Sequence, residues 1–169
     1  IFWCSNKENT IENNNQIDTN LNQETKTILA IWDSLTTWYW LEQEESYPAK
    51  LQQKLQKNWY DYEVINAWIS WETSRWLKSR MTFYQDKNPN IVIIVTWWND
   101  WLNWLSTNDL ENNLNEIIDY FISIWSYIIV WWMDIPRNLW IQYRNDFLWV
   151  YKNIKNRDDI YMIDFFLED

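Results

Sequence analysis

Two polar side chains in this sequence could do chemistry, because each follows a short apolar run that is typical of a buried strand. Ser34 lies just after residues 28–31, and its hydroxyl could attack an ester if a neighbouring base accepted its proton. Asn99 lies after residues 91–95, and its side-chain amide could donate a hydrogen bond to a developing oxyanion. Both residue types are also common at turns and helix caps, so taken singly each is more often structural than catalytic.

The elements that must position these side chains can be predicted from the apolar pattern. The predicted strands span residues 28–31, 62–65, 91–95, 127–130 and 160–163, and the predicted helices span residues 44–58, 73–85, 108–124 and 144–154. This alternation indicates an α/β fold with a doubly wound parallel sheet. In such a fold the functional site lies beyond the carboxyl ends of the strands, where Ser34 and Asn99 are both expected.

The composition excludes several classes of protein. The 169 residues carry a net charge of −10, which is unsuited to the phosphate backbone, so we expect no nucleic acid as a partner. A single cysteine, Cys4, rules out an internal disulfide. No run of about 18 apolar residues, as a membrane span would need, is present. The length suits one domain with one sizeable core.

Two residue counts are abnormal for such a domain, because glycine is absent and tryptophan occurs 17 times. Six tryptophans are predicted just past strand ends: Trp32, Trp68, Trp97, Trp98, Trp131 and Trp132. Trp59 and Trp125 lie between a helix and the next strand, where helices commonly end in a left-handed residue. We interpret the tryptophans as UGA-encoded glycines, because some bacterial lineages read UGA as glycine and another common code reads it as tryptophan. The alternative is a genuinely tryptophan-rich core or membrane-facing surface.

Three motifs carry a family resemblance once tryptophan is read as glycine. Residues 31–36 become I-G-D-S-L-T, followed by G-Y-G-L at residues 38–41; residues 64–74 become V-I-N-A-G-I-S-G-E-T-S, and residues 96–102 become T-G-G-N-D-G-L. In this order and spacing they resemble the SGNH (GDSL) hydrolase family, in its bacterial thioesterase/arylesterase/lysophospholipase branch. Together with the strand–helix alternation, the resemblance implies a three-layer α/β/α sandwich. Its flavodoxin-like, five-stranded parallel sheet would have the order 2-1-3-4-5.

The resemblance also implies roles for individual residues. Ser34 would be the nucleophile, and the oxyanion hole would consist of the backbone N–H groups of Ser34 and Trp71 with the side chain of Asn99. Three acidic residues would hold the loops in place rather than react: Asp33, Glu72 and Asp100. The implied reaction is hydrolysis of small acyl esters, acyl thioesters or lysophospholipids, with no cofactor and no metal.

The catalytic base is not found in these residues. The family's histidine lies in a D-x-x-H motif after the fifth strand, whereas this chain contains no histidine and ends at Asp169. Asp164 precedes the family position of the triad acid, and no lysine occupies a motif that would make a Ser–Lys dyad. We therefore expect the triad's acid and histidine to lie beyond Asp169, and the 169-residue chain to be inactive as written.

The N-terminal segment differs in character from the rest. Residues 1–4 become I-F-G-C, which resembles the end of a lipoprotein signal peptide, where the cysteine carries the lipid. Residues 5–26 are polar and lack an apolar period, as a flexible tether would. We expect a lipobox-like start with a linker at residues 1–26 and a C-terminally truncated hydrolase domain at residues 27–169. The protein would be exported, periplasmic or at the cell surface, with a possible lipid anchor at Cys4; the alternative is a stray cysteine at the start of a fragment.

Two functions from different classes stay open at this point. The first is the serine ester or thioester hydrolase. The second takes the tryptophans literally, as a non-catalytic tryptophan-rich module that binds lipid or membrane surfaces. The codons distinguish them, since UGA at the tryptophan positions favours the hydrolase and UGG favours the binding module.

Overall fold

Five short strands rich in β-branched residues form one parallel sheet. The computed structural model describes residues 25–32, 43–96, 98–132 and 141–163. The strands are β1 (Lys26–Trp32), β2 (Tyr62–Asn66), β3 (Ile91–Val95), β4 (Tyr127–Trp131) and β5 (Ile160–Ile163). Every neighbouring pair is parallel, and the order is β2-β1-β3-β4-β5. The predicted fold class and strand order are confirmed.

The helices lie between the strands, as the alternation predicts. They are α1 (Tyr47–Lys57), α2 (Ser74–Arg80), α3 (Trp98–Leu102), α4 (Thr107–Ser123) and α5 (Ile141–Lys155). One predicted helix needs correction, and one short helix was not predicted. The helix predicted at residues 73–85 ends at Arg80 and continues as a 3-10 segment to Lys87, and the five-residue α3 is not apparent from the apolar pattern because it is shorter than two turns.

The central strands β1 and β3 are buried on both faces, because helices cover both sides of the sheet and form three layers with it. Leu29, Ile31 and Val92 lie in one cluster with apolar side chains of α2, α4 and α5. Ile28 and Ala30 point to the opposite face, where the apolar side of α1 covers them. Alternate residues therefore face two different apolar layers, which explains why the central strands are apolar at nearly every position.

Two tryptophans depart from the positions predicted for them. Trp32 and Trp131 are the last residues of β1 and β4, not residues beyond them. Trp32 is 1% exposed and contacts Tyr47 of α1 edge to face, with ring centroids 5.4 Å apart. Trp101 of α3 is also buried, at 8% exposure, so these two indoles belong to the core of the described domain.

No helix in the described ranges combines the length and the apolar character that crossing a membrane requires.

Candidate active site

Two segments that follow strands meet at the carboxyl edge of the sheet: a loop after β2 and the short helix α3 after β3. The loop at residues 67–73 follows β2, and α3 follows β3; both strands pair with β1. The Asn99 side chain joins the two segments, because its Nδ2 donates to the backbone carbonyl of Glu72 over 2.9 Å. Two of the three predicted site residues, Trp71 and Asn99, are therefore close together. The bond between their segments is made by Glu72, the residue after Trp71.

Asn99 is fully buried, with 0% exposure, although it is a polar residue. Its own backbone carbonyl accepts a bond at 2.7 Å from the side chain of Asn103, which follows the last residue of α3. Among the described residues, one of the two N–H bonds of the Asn99 amide has an acceptor, the Glu72 carbonyl, and the Asn99 Oδ1 has no hydrogen-bond partner. A buried amide with spare hydrogen-bonding capacity is costly in a core and is often explained by function.

Trp71 lies in a left-handed backbone conformation, with φ of 62°. Its side chain is 65% exposed, so the indole contributes little to the core. Within the described ranges, the backbone N–H of Trp71 has no acceptor. This N–H can therefore serve as a donor to a bound group.

Glu72 and Arg80 form a buried ion pair beneath the loop. The Nε and Nη2 atoms of Arg80 donate to the two carboxylate oxygens of Glu72, and Nη2 also donates to the carbonyl of Ala67 at 2.9 Å. Burial raises the pKa of Glu72, and the hydrogen bonds and charge of Arg80 counteract that rise. The pair ties the beginning and end of the 67–73 loop to α2.

Asp100 anchors the other side of the junction. Its two carboxylate oxygens accept from the backbone N–H of Ser74 at 2.7 Å and from the Ser74 hydroxyl at 2.6 Å. Asn113 of α4 donates to the same hydroxyl oxygen at 3.0 Å. Burial raises the pKa of Asp100, and the bonds from Ser74 lower it. Glu72 and Asp100 thus occupy the loop-holding places that the sequence predicts for them.

Ser34 and Asp33 lie outside the described residues, so their predicted roles stay predictions. The sequence interpretation missed Arg80 and Ser74, which bond to the acidic residues, and Asn113, which bonds to Ser74. A signal for Asn113 exists, because it falls in phase with Leu110 and Ile117 on the apolar face of α4. In the described ranges, no three Cys, Asp or Glu side chains lie close enough together to hold a metal ion.

Comparison with known proteins gives relatives over most of the chain. No family model matches. The esterase TesA of Pseudomonas aeruginosa is 27% identical over 144 residues, covering 85% of this chain and 72% of the relative. The thioesterase 1/protease 1/lysophospholipase L1 of Escherichia coli is 25% identical, covering 85% and 68%. Among solved structures, AlinE4, an esterase of the SGNH-hydrolase family, is 32% identical with a TM-score of 0.77, covering 85% of this chain and 78% of that one.

Proposed function

The chain belongs to the SGNH-hydrolase family, and on that basis we propose that it hydrolyses acyl esters, acyl thioesters or lysophospholipids through the Ser34 hydroxyl. One observation supports the assignment of the site. Asn99 is fully buried at the carboxyl edge, its side chain bonds to Glu72, and its second N–H can still donate a hydrogen bond. Ser34 belongs two residues past the end of β1, which runs between the strands that carry the two loops.

The proposed reaction proceeds in two acyl transfers. The Ser34 oxygen attacks the carbonyl carbon of the substrate while a base removes the hydroxyl proton, and the carbonyl oxygen becomes an oxyanion. The backbone N–H groups of Ser34 and residue 71 and the second N–H of Asn99 would donate to that oxygen. The bond to the alcohol or thiol then breaks, the base returns its proton to the leaving group, and water releases the acid from Ser34 by the same steps in turn.

The base is proposed to lie on a continuation of the chain past Asp169. The 169 residues contain no histidine, and a neutral serine hydroxyl is a weak nucleophile without a base. We therefore distinguish the 169-residue chain from the extended enzyme, meaning the product of the same gene continued past Asp169 with glycine at the tryptophan positions.

The backbone supports the proposal that glycine stands at the tryptophan positions in the cell. Among the described residues, five that are not glycine have positive φ, and four of them are tryptophans: Trp59 (61°), Trp71 (62°), Trp104 (52°) and Trp125 (70°). A residue with a Cβ pays about 1–2 kcal/mol to adopt this conformation, whereas glycine adopts it readily.

Three of these tryptophans end helices in the same way. Trp125 follows the cap residue of α4, its N–H donates to Ile122 O at 2.9 Å, and the next N–H, of Ser126, donates to Phe121 O at 3.0 Å. The same pair of bonds occurs at Trp59 after α1 and at Trp104 after α3. This is the Schellman motif, in which the left-handed residue is usually glycine.

The membrane-binding alternative is disfavoured by where the exposed indoles lie. Trp59 and Trp125 precede β2 and β4 and are 95% and 91% exposed at the amino edge of the sheet. Trp71 and Trp104 follow β2 and α3, at the carboxyl edge. Exposed rings at opposite edges do not form one face that could dock on a bilayer.

The N-terminal segment is proposed to anchor the enzyme outside the cytoplasm, through a lipid on Cys4 and the polar tether of residues 5–26. Growth of producing cells with a labelled fatty acid tests the anchor. Label should enter the protein and be lost in Cys4→Ser, whereas an unlabelled protein would contradict the proposal.

Hydrolysis assays test the function. The extended enzyme should release nitrophenol from short nitrophenyl esters and thiol from acyl thioesters, and a lysophospholipid in the panel defines the leaving-group preference. The 169-residue chain should not turn over, since it has no imidazole. A folded extended enzyme that hydrolyses none of these substrates would overturn the proposed function.

A further inference from the structure

The two predicted oxyanion donors that the structure describes, Asn99 and Trp71, each have a buried carboxylate as a neighbour in the chain. Asn99 precedes Asp100, which is 1% exposed, and Trp71 precedes Glu72, which is 2% exposed. Burying a carboxylate is costly unless it is well hydrogen-bonded, so two such groups next to two donors require an explanation. Glu72 is accounted for by the ion pair with Arg80.

Within the part of the chain that the structure describes, Asp100 has no ion-pair partner comparable to Arg80, and the charge of Arg75 only partly offsets the effect of burial on its pKa. It accepts two hydrogen bonds from a single residue, Ser74, through the backbone N–H and the hydroxyl. Ser74 is the first residue of α2 and lies three residues after Trp71. Asp100 therefore connects the helix that carries Asn99 to the end of the loop that carries the other donor.

The orientation of the bonds makes this connection specific. Asn113 of α4 donates to the Ser74 oxygen, so the Ser74 proton is directed to Asp100. The Ser74 N–H fixes the second carboxylate oxygen, so rotation of the carboxylate breaks one bond or the other. Asn99 then holds the same loop through the Glu72 carbonyl. The two loops are thus joined by side chains from both sides.

We propose that Asp100 is a positioning residue for the oxyanion hole, which sets the separation between Asn99 Nδ2 and the backbone N–H of residue 71. This inference rests on the proposed function, because it concerns the same site. Asp100 does not touch the substrate; it acts through Ser74 and through its own place beside Asn99. Misplacing a catalytic group by about 1 Å can cost roughly 100-fold in rate, so a positioning residue has a measurable effect on turnover.

The test compares Asp100→Ala, Asp100→Asn and Ser74→Ala in the extended enzyme, with active sites counted by covalent titration with a fluorophosphonate. Counting sites separates misfolded molecules from slow ones. We expect kcat per titrated site to fall roughly 10- to 100-fold in Asp100→Ala with little change in KM. Asp100→Asn should recover part of the loss, since its Oδ1 can still accept one bond, and Ser74→Ala should lose less than Asp100→Ala, because its backbone N–H remains.

A matched control is Glu116→Gln. Glu116 of α4 pairs with Lys78 of α2 at 2.9 Å, so this solvent-accessible pair links the same two helices as Asn113 and Ser74. Its kcat per site should equal that of the unsubstituted enzyme.

The outcomes separate this inference from the proposed function. If the unsubstituted extended enzyme hydrolyses esters and Ser34→Ala does not, the function stands. If Asp100→Ala and Ser74→Ala then keep full kcat per titrated site and lose only the number of sites, Asp100 is merely structural and the inference is wrong. Should Asp100→Ala fail to fold, Ser74→Ala decides alone. If the unsubstituted extended enzyme is inactive, both the proposed function and the inference about Asp100 are wrong.

Discussion

At the scale of single residues, the account depends on Asn99, because it is the described side chain assigned to touch the reacting atoms. Its amide is held by Glu72, so its donor is already oriented before substrate arrives. Asn99→Ala in the extended enzyme should lower kcat by about 100- to 1000-fold, as the loss of one oxyanion donor commonly does. KM should change much less, since the bond strengthens only as the oxyanion forms. Steady-state kinetics checks this, and an equal rise in KM with unchanged kcat would contradict it.

The ion pair of Glu72 and Arg80 gives a prediction about pH. Arg80→Met leaves a buried carboxylate without its counter-charge, which should cost about 3–5 kcal/mol in the free energy of unfolding at neutral pH. Without the guanidinium, burial raises the folded-state pKa of Glu72 further above its unfolded value of about 4.3. The variant is therefore most stable at a pH below the pKa of Glu72 in the unfolded chain. This stability is lost as pH rises through the higher pKa of Glu72 in the folded chain.

Urea unfolding of the 169-residue chain at several pH values measures this effect. The difference in the free energy of unfolding between Arg80→Met and the unsubstituted chain should become smaller as pH falls from neutral towards about 4. The double variant Arg80→Met/Glu72→Gln is the control, because it lacks the titrating group and should show no such narrowing. A gap of Arg80→Met that stays constant with pH would contradict the assignment.

At the scale of elements, the helix ends carry the evidence for glycine. The sequence predicts a left-handed residue at Trp59 and Trp125, and both have positive φ. Trp125→Gly in the 169-residue chain should raise the free energy of unfolding by on the order of 0.5–1 kcal/mol, since the left-handed strain exceeds the entropy that glycine adds to the unfolded chain. Trp76→Gly is the matched control, because Trp76 is also exposed but lies inside α2, and it should lose about 1 kcal/mol.

Thermal or urea unfolding measures both variants. Destabilisation by Trp125→Gly as large as that by Trp76→Gly would contradict the account of the helix ends. The natural protein offers a direct check, because peptide mass spectrometry of material from its own cells should find glycine at position 125.

The secondary structure shows which parts of the fold can be predicted from the sequence. β3 and β5 match the predicted bounds, because short β-branched runs flanked by polar residues have few other interpretations. The short α3 and the 3-10 segment after Arg80 were missed because neither completes an apolar period. The bonds from Ser74 and Arg80 could not be predicted, since hydrogen bonds across 26 or 13 residues depend on tertiary packing. The burial of Trp32 was missed because an indole read as a turn residue has no expected place in the core.

At the scale of the whole molecule, the parallel sheet accounts for the location of the site. The order β2-β1-β3 places β1 between the two strands whose loops meet at Asn99 and Glu72. Because Ser34 follows β1 in the sequence, we propose that it lies near that junction. The family relatives act as esterases and thioesterases by name, and the central claim for this chain is that Ser34 is its nucleophile.

Covalent capture of Ser34 tests that claim most directly. A fluorophosphonate incubated with the extended enzyme should lose fluoride to the attacking serine oxygen and leave a phosphonyl group on that residue, with peptide mass spectrometry as the readout. We expect one modified serine, Ser34, with ester hydrolysis lost in proportion to the label, and neither label nor hydrolysis in a folded Ser34→Ala variant. Label on a different residue, or full ester hydrolysis by Ser34→Ala, would contradict the account.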